Sequence, residues 1–203
     1  MKRIRAVILA AGRSRRLGFS KLTLRIDGES VIRRSVRPFL REDVEKVIVV
    51  TGHEHRKVER ELIGFKVDLV HNPLHGDGMS TSVRAAIPFL GNADTILFHL
   101  GDKPFVKPER ISLMLDKCRR EGAKIIVPVC DGKKGHPVLI DADIVRDEIG
   151  ALEGDKGLRE VIEKRKGDVV FIEGDEGSLF DIDTLREVDY LRERGYRIEE
   201  GER

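Results

Sequence analysis

Short runs of apolar residues alternate along the chain with amphipathic segments that are rich in charge. The length and continuity of the runs are typical of strands buried on both faces, as parallel sheets require. The predicted strands are 6–9, 47–50, 67–70, 95–98 and 125–129. The predicted helices between them are 30–40, 54–62, 80–90 and 108–121. This alternation predicts an α/β fold with a mostly parallel sheet.

The pattern becomes less regular after residue 130. It predicts a short strand over 137–140, a helix over 155–164, a strand over 168–172 and a final helix over 184–194. Thr184 is a suitable cap for that helix, and the tail 199–203 is expected to fray. Because no repeat, linker or low-complexity tract interrupts the chain, we expect a single domain over 1–203.

Composition and charge exclude several classes of protein. The 203 residues include 38 Lys or Arg and 36 Asp or Glu, and this net charge of +2 argues against a nucleic-acid binder. No apolar run reaches the roughly 18 residues that a membrane helix needs. The apolar stretch 6–11 is too short for a signal peptide, so the sequence favours a cytoplasmic location without a membrane partner.

Two further features of composition are informative. The chain has no Gln and only two Asn, Asn72 and Asn92, beside abundant Lys, Arg and Glu, a pattern typical of thermophile proteins. Cys118 and Cys130 are too few for a disulfide framework or a four-thiolate zinc site. Each cysteine is interpreted as a small apolar filler.

The segment Gly12–Lys21 follows the first predicted strand, at the sheet edge where α/β proteins bind ligands. Its two glycines and Ser14 permit a wrapped backbone, and its three arginines and one lysine match a polyphosphate. Its spacing fits neither a Walker A loop nor the G-x-G-x-x-G fingerprint. From these residues alone, a solvated basic turn is an equally good interpretation.

Three aspartates are candidate metal ligands. Asp102 ends the fourth apolar run behind Gly101, a common magnesium position in phosphoryl-transfer sites. Asp181 and Asp183 would face the same side of an extended segment, so one could share a metal while the other anchors the next helix. A turn or cap role remains the alternative for each of the three.

The histidines provide weaker signals. His53 and His55 stand two residues apart, which on a helix points the rings to different faces and disfavours a zinc site. His71, His75 and His99 are interpreted as structural or surface residues. His136 lies in a cationic entry to a predicted strand, where a loop role and a substrate contact are equally plausible.

Six motifs in collinear order resemble those of the MobA-like nucleotidyltransferases, particularly the molybdenum cofactor cytidylyltransferases. The opening Leu9-Ala10-Ala11-Gly12 with Ser14, Arg16, Gly18 and Lys21 matches the family pattern L-A-A-G-x-S-x-R-x-G-x-x-K at every fixed position. The other five are Asn72-Pro73 with Gly78, Met79 and Ser82; Gly101-Asp102-x-Pro104; Gly135-His136-Pro137-Val138-Leu139; Gly154-Asp155-x-Gly157-x-Arg159; and Asp181-Ile182-Asp183-Thr184. Departures are Leu17 where Met is usual and Lys103 where Met or Gln is common.

The resemblance implies a Rossmann-like three-layer α/β/α sandwich whose mostly parallel sheet includes an antiparallel strand. It also implies transfer of a nucleoside monophosphate from a nucleoside triphosphate to a phosphate-terminated acceptor, with release of pyrophosphate and with Mg²⁺ or Mn²⁺ as cofactor. A phosphate monoester has a second pKa near 6, so it is already an oxyanion at neutral pH. The absence of a convincing general base agrees with that chemistry.

The resemblance assigns roles residue by residue. Arg16, Lys21 and Asp102 would be catalytic, with Arg16 on the β and γ phosphates and Lys21 on the α phosphate. Asp102 and Asp183 would hold the metal, and His136 would contact the acceptor. The nucleotide would lie on Leu9, Ala10, Ala11, Gly12, Asn72, Gly78 and Ser82. Arg13 and Arg15 are expected to be solvated cations.

Substrate identity stays open at this level. Ala-Ala-Gly at 10–12 favours CTP over GTP, and the suspected acceptor is the pterin of the molybdenum cofactor, with transient contact to molybdoenzymes or their chaperones. The nearest alternatives are a sugar- or polyol-phosphate cytidylyltransferase and a guanylyltransferase of the molybdenum cofactor. A metal-dependent glycosyltransferase would use Asp181-Ile182-Asp183 as its metal motif, but the motif lies late in the chain. A non-catalytic nucleotide sensor would not need Lys21 and both metal carboxylates.

Overall fold

The computed structural model describes residues 2–14, 16–151, 154 and 157–201. Its strands are β1 (Ile4–Ala10), β2 (Arg25–Ile26), β3 (Glu29–Ser30), β4 (Lys46–Thr51), β5 (Asp68–His71), β6 (Thr95–Leu100), β7 (Ile125–Cys130), β8 (Lys133–Lys134), β9 (Val138–Asp141), β10 (Val169–Glu173) and β11 (Ile198–Glu199). Its α-helices are α1 (Val31–Val36), α2 (His55–Glu61), α3 (Met79–Ala86), α4 (Pro108–Glu121), α5 (Ala142–Glu148), α6 (Arg159–Lys164), α7 (Glu176–Leu179) and α8 (Leu185–Glu193).

The main sheet has the strand order β10-β7-β9-β6-β1-β4-β5, and β8 pairs with β7. Strand β1 pairs in parallel with both β4 and β6, and β4 in parallel with β5. Strand β9 is antiparallel to its neighbours β6 and β7, whereas β10 is parallel to β7. The structure therefore confirms the predicted mostly parallel sheet with an antiparallel strand.

Both faces of the main sheet are covered by helices. On β1, Ala6 and Ile8 belong to a core cluster with residues of α1, α2 and α4, whereas Val7 belongs to a cluster with residues of α3, α5 and α6. Burial on both faces explains why the strand is a continuous apolar run rather than an alternating one. The predicted three-layer α/β/α sandwich is confirmed.

A third core cluster lies beside the loop that follows β1. It joins Leu17, Leu24 and Ile26 to Ile182 and to Val188 of α8. A small antiparallel sheet of order β11-β2-β3 edges this cluster.

The small sheet corrects the expectation that the tail 199–203 frays at its first residue, Glu199, while residues 200 and 201 lie outside any strand. Ile198 pairs with Ile26 and Glu199 pairs with Arg25. Burial explains the order, because Ile198 packs partly buried against the third core cluster. Residues 202 and 203 lie outside the described part of the chain.

Prolines shorten two predicted helices. The helix predicted over 30–40 is α-helical only to Val36 and continues as a 3₁₀ turn, Arg37–Phe39, that contains Pro38. The helix predicted over 80–90 likewise gives way to a 3₁₀ turn, Ile87–Phe89, that contains Pro88. Proline has no N–H for the i−4 carbonyl and clashes with it, so each α-helix ends ahead of its proline.

The second half departs most from prediction. Helix α5 and the single turn α7 were not predicted. Of the segment 155–164, which was predicted to be one helix, residues 159–164 form α6. Asp155 and Lys156 lie outside the described residues. The predicted cap Thr184 is confirmed, since its hydroxyl accepts from Arg186 N at 3.2 Å in a capping box with Glu187.

In the described ranges, no helix combines the length and apolarity needed to cross a bilayer.

Candidate active site

The ends of β1 and β6 meet at the carboxyl edge of the main sheet. Gly101 N donates to Leu9 O at 2.9 Å, which fixes Asp102 one residue beyond this contact. A Cβ on Gly101 would lie 2.9 Å from Ile32 Cδ1 and 3.1 Å from Ala10 Cβ. Glycine therefore eases the close approach that brings Asp102 to the loop after β1, since a side chain here would displace Ile32 and crowd Ala10.

Two carboxylates and two cations form a cluster at this edge. Lys21 Nζ donates to Asp102 Oδ2 and, at 2.7 Å, to Asp183 Oδ1. Arg16 Nη2 donates to the other oxygen, Asp183 Oδ2, at 2.7 Å. Four residues predicted to be catalytic or metal-binding, separated by up to 167 positions in sequence, are thereby brought together.

The segment after α7 delivers Asp183 rather than Asp181 to this cluster. Ile182 is fully buried, and its N–H donates to Asp102 O at 3.2 Å. Asp181 turns away, with Oδ2 3.3 Å from the Nζ of the buried Lys103. Lys103 Nζ also donates to Leu179 O. Lys103 therefore fastens the segment that carries Asp183 to the strand end that carries Asp102.

The cluster stabilises the charged forms of its members. Burial disfavours the Lys21 ammonium, but Asp102 and then Asp183 outweigh that effect and raise the pKa of Lys21 above its usual value. Burial likewise opposes ionisation of Asp183, yet Lys21 and Arg16 hold the pKa of its carboxyl below the usual range. The side chains of Lys21 and Asp102 are only 13% and 17% exposed, so this pair is weakly screened by solvent.

The carboxylates fit a divalent cation. Asp102 Oδ1 is buried and has no hydrogen-bond partner among the residues that the structure describes. The Lys21 ammonium already lies between Asp102 and Asp183. Within the described ranges, no group of three His, Cys, Asp or Glu residues could hold a metal. Mg²⁺ is commonly bound through one or two carboxylates together with substrate phosphates, so two aspartates suffice.

A cavity of about 340 Å³ opens beside the cluster. Of the predicted nucleotide-binding residues, Leu9, Ala10, Ala11, Gly12, Gly78 and Ser82 line it. Lys21 and Asp102 lie on its wall as well, whereas Arg16 is largely exposed outside it. The cavity is thus formed mainly by the loop after β1 and by the start of α3.

The sequence did not assign to the site six residues that also line this cavity: Arg13, Leu22, His75, Gly76, Met79 and Leu100. Arg13 was expected to be a solvated cation, and its side chain is indeed exposed. It nevertheless lines this cavity and also a separate cavity of about 640 Å³ that Ser14, Ser20 and Glu54 line as well. Its position between Gly12 and Ser14 was the available signal. Arg15 lies outside the described residues.

Asn72 has a different place from the one predicted. Its side chain is buried, donates to Thr81 Oγ1 at 2.9 Å and to Ser82 Oγ at 3.0 Å, and accepts from Leu74 N at 3.0 Å. It is not among the residues that line the cavity. Its hydrogen bonds instead brace the turn that carries Gly78 and the first turn of α3.

A second cavity, of about 480 Å³, adjoins the first and shares Leu9, Met79 and Leu100 with it. Its walls are mostly apolar, and its polar residues are His99, Lys134, His136 and Arg159. A ligand in the first cavity and one in the second would therefore meet across Leu9 and Leu100, close to Asp102.

His136, the predicted acceptor contact, lies on the wall of this second cavity. Burial, assisted by the charge of Lys103, lowers the pKa of its imidazole to about 4, so the ring is neutral at physiological pH. The rings of His99 and His136 are 6.2 Å apart, and each has a buried Nδ1 without a partner. His99 is fully buried, as a structural histidine is expected to be.

Fold and cluster together define a class of protein, the nucleotidyltransferases of α/β architecture. Residues 6–169 match the MobA-like NTP transferase domain, and the chain belongs to that family. The resemblance inferred from the six sequence motifs is thereby confirmed.

Individual relatives agree with this assignment. A molybdenum cofactor cytidylyltransferase from Escherichia coli (strain K12) is 32% identical over 141 residues, covering 69% of this chain and 71% of that protein. A 2-C-methyl-D-erythritol 4-phosphate cytidylyltransferase from Geobacillus kaustophilus (strain HTA426) is 29% identical over 161 residues, covering 76% and 71%. The solved structure of a nucleotidyl transferase from Methanothermobacter thermautotroptrophicus is similar with a TM-score of 0.79 at 27% identity, covering 96% of this chain and 97% of that one.

Proposed function

We propose that the protein transfers CMP from CTP to a phosphate-terminated acceptor, the molybdenum cofactor, and releases pyrophosphate. The observation that carries this proposal is the junction of the two cavities beside the Lys21, Asp102 and Asp183 cluster. A nucleotide and an acceptor bound in adjacent cavities would meet where cationic and carboxylate groups are concentrated. Holding two reactants in contact accounts for a large part of the barrier reduction in such transfers.

The transfer needs no protein base. The acceptor's phosphate oxygen attacks the α phosphorus of CTP, a P–O bond forms there, and the bond to the β phosphate oxygen breaks with departure of pyrophosphate. The attacking phosphate is already ionised at neutral pH because its second pKa is near 6. What the chain must supply is alignment and positive charge.

Lys21 and Arg16 are the cationic side chains assigned to the phosphates of CTP. Lys21 lies on the wall of the nucleotide cavity, and as a compact ammonium it neutralises a single oxygen of the α phosphate. Arg16 lies outside the cavity and is largely exposed, and its planar guanidinium, held near the cluster by Asp183, is assigned to the β and γ phosphates. Asp102 and Asp183 hold a divalent cation, Mg²⁺ or Mn²⁺, whose chemistry is to stabilise the charge that develops on the phosphate oxygens.

The second cavity, whose walls are mostly apolar but include the cations Lys134 and Arg159, supports an acceptor with an apolar body and an anionic group. Its walls include Val83, Phe98, Val138 and Leu158, and its His136 is neutral. A polyol would lose hydrogen bonds to water over most of its surface against such walls, whereas a planar heterocycle such as a pterin carries its polar groups at the ring edge and can pack its faces on apolar side chains. This lining favours the molybdenum cofactor over sugar- and polyol-phosphate acceptors.

The choice of base rests on Ala11. Its side chain is buried on the wall of the nucleotide cavity, where a methyl group narrows the space for a base. We expect CTP to bind at least about tenfold tighter than GTP, which is about 1.4 kcal/mol. Competition binding measures the ratio, and an Ala11→Gly variant should narrow it. Equal or tighter GTP binding would replace the cytidylyl proposal by a guanylyl one.

Pyrophosphate release tests the reaction itself. CTP and GTP are each combined with the molybdenum cofactor, with a sugar phosphate and with a polyol phosphate, in the presence of Mg²⁺ or Mn²⁺. We expect release that depends on both CTP and the molybdenum cofactor and that is lost in an Asp102→Ala variant. Faster release with a polyol phosphate would identify the alternative acceptor class, and release without any acceptor would exclude a transferase.

A further inference from the structure

The segment that carries Asp183 is held at two points by consecutive residues of the turn after β6. Asp102 O accepts from Ile182 N at 3.2 Å. Lys103 Nζ, from the next residue, donates to Leu179 O. Asp183 follows Ile182 directly, so its place depends on both of these hydrogen bonds.

The side chain of Lys103 extends from a fixed backbone. Lys103 N donates to Leu100 O at 3.3 Å, and Lys103 O accepts from Nε2 of the fully buried His99 at 3.0 Å. The Lys103 side chain is itself only 7% exposed. In a close-packed interior, an ammonium on such a base holds its acceptor at one position.

The atom that Lys103 holds lies at the end of α7 from which the Asp183 segment leaves. Carbonyls in the last turn of a helix have no partner within the helix, and lysine side chains can satisfy them. The other contacts of α7 lie earlier. The Asp175 side chain accepts from Ser178 N at 3.0 Å at its start, and Ser178 O accepts from His136 N at 2.9 Å.

A buried ammonium at position 103 is costly unless its contacts are useful. Methionine would fill a similar space without a charge, and burying an ammonium costs free energy unless hydrogen bonds and opposite charges compensate it. The Asp181 carboxylate compensates only in part, because it is 3.3 Å away and 44% exposed. The hydrogen bond to Leu179 O is therefore the contact that gives a cation here its use.

We propose that Lys103 is a positioning residue of the metal site, acting through Leu179 O to place Asp183 opposite Asp102. This proposal rests on the proposed function, because it assumes that the two aspartates hold a divalent cation. Lys103 is not among the residues that line the nucleotide cavity or the acceptor cavity. Its effect on the metal therefore passes through the segment 179–183.

Charge and position predict opposite results for Lys103→Met. Loss of a positive charge near two carboxylates would by itself tighten Mn²⁺ binding. Loss of the contact that places Asp183 would weaken it, since groups that orient metal ligands are commonly worth about 10- to 100-fold in metal affinity. We expect the dissociation constant for Mn²⁺ to rise by about tenfold or more, as measured by Mn²⁺ titration with electron paramagnetic resonance. Unchanged or tighter binding by the folded variant would overturn the positioning role.

A double variant, Lys103→Met with Asp181→Asn, separates position from charge. It removes one positive and one negative charge, so the net charge stays the same and no Asp181 carboxylate is left unpaired. We expect it to weaken Mn²⁺ binding at least as much as Lys103→Met does, whereas Asp181→Asn alone should not weaken it. If the single Lys103 variant proves unstable in thermal unfolding, the double variant decides, because replacement of a whole ion pair by uncharged residues is often tolerated. Wild-type affinity in the double variant would overturn the proposal.

Lys107→Met is the matched control. Lys107 pairs with Asp175 at the start of α7, at 3.5 Å, but its side chain is 67% exposed and it does not contact Leu179 O. We expect this variant to bind Mn²⁺ as the wild type does, and a loss equal to that of Lys103→Met would overturn the proposal. A wild-type protein that binds no Mn²⁺, with or without CTP, would overturn the metal assignment of the proposed function. Normal wild-type binding with unaffected Lys103 variants would overturn the positioning role alone.

Discussion

Lys21 joins the two carboxylates that would share a metal, so its ammonium serves as their counter-cation in this structure. A nucleoside triphosphate brings its own negative charge into the same space, and the ammonium then faces phosphate and carboxylate oxygens together. At the scale of single residues, the site is an arrangement of few charges with short separations. Each charge should therefore have a separable effect on binding or on turnover.

Lys21→Ala and Arg16→Ala should affect different kinetic constants. Charge grows at the α phosphate only during transfer, so loss of Lys21 should mainly lower kcat. The β and γ phosphates are present in the ground state, so loss of Arg16 should raise KM for CTP as well. Steady-state kinetics with CTP varied, together with CTP and CMP binding, separates the two.

An exposed arginine of α2, Arg56, provides the control for that pair. Arg56→Ala should leave both constants unchanged. If Lys21→Ala raises KM with kcat intact, Lys21 is a binding residue, and its role at the transition state is wrong.

Asp102→Ala should remain folded, because Lys21 keeps Asp183 as a partner. Its turnover should fall by several orders of magnitude, since charge stabilisation by a metal contributes several kcal/mol. Asp183→Ala should weaken Mn²⁺ binding, whereas Asp181→Ala should not, because Asp181 contacts Lys103 instead. Mn²⁺ titration followed by electron paramagnetic resonance reads all three variants. A larger effect from Asp181→Ala than from Asp183→Ala would reverse the assignment.

At the residue scale, the sequence identified the polar residues near the site but not the direction in which each side chain points. The spacing of Asp181 and Asp183 placed both on one side of an extended segment, and only the burial of Ile182 and the Lys103 contact separate them. Asn72 was predicted as a nucleotide contact, but its three hydrogen bonds stay within the protein. Which atoms a polar side chain contacts depends on segments far away in sequence.

Among the elements, the turn before α3 is the most constrained part of the site. Gly78 caps the helix with φ 106° and ψ 169°, a region that is essentially confined to glycine. A Cβ there would lie 2.5 Å from the backbone C and O of Gly154. The helix start that lines the nucleotide cavity is therefore packed tightly against another backbone segment.

Gly78→Ala should destabilise the fold by about 1–3 kcal/mol and weaken CTP binding. Thermal unfolding and nucleotide titration measure the two effects. Gly167→Ala is a suitable comparison, since a Cβ there meets nothing within 4 Å and the residue lies away from the site. Equal effects of the two substitutions would show that the turn at Gly78 has no special role.

The elements that sequence could predict are those with long apolar runs. Strands β1, β4, β6 and β7 are continuous and β-branched, and they were found within a few residues of their bounds. The two-residue strands β2, β3 and β11 have no pattern of their own, because only pairing with distant segments makes them strands. Proline also ended two helices earlier than their apolar periodicity indicated.

At the scale of the whole molecule, ion pairs link segments that lie far apart in sequence. Arg3 holds Asp94 across 91 positions and lowers the pKa of that carboxyl to about 2. Lys134, together with Lys166, lowers the pKa of the Glu163 carboxyl to about 2. These pairs are exposed, so each contributes little, but several act in the same direction.

Stability should therefore begin to decline below about pH 6.5, because His99 and His136 are buried as neutral rings with pKa values below their unfolded value, and the carboxylates should add a further decline between about pH 4 and pH 2. A carboxyl whose pKa is lowered in the folded state stabilises the fold at any pH above its unfolded pKa. That contribution is lost as the pH falls through the folded pKa. Denaturant unfolding across this range measures the slope, which an Asp94→Asn and Glu163→Gln double variant should reduce. An unchanged slope would place the acid sensitivity in other groups.

The single domain over 1–203 and the thermophile origin remain predictions from the sequence.

The contact of Lys21 with Asp183 spans 162 positions, and the strand that pairs with β2 lies later still, at Ile198–Glu199. During translation the cationic loop emerges early, and its carboxylate partner follows after more than 160 residues have been added. Asp102 follows the loop after 81 residues, but at roughly 5–20 residues per second Asp183 is added on the order of ten seconds or longer after Lys21. A ribosome-bound chain that stops short of Asp183 would carry the nucleotide loop but not its site. The site is therefore complete only after Asp183 has been synthesised.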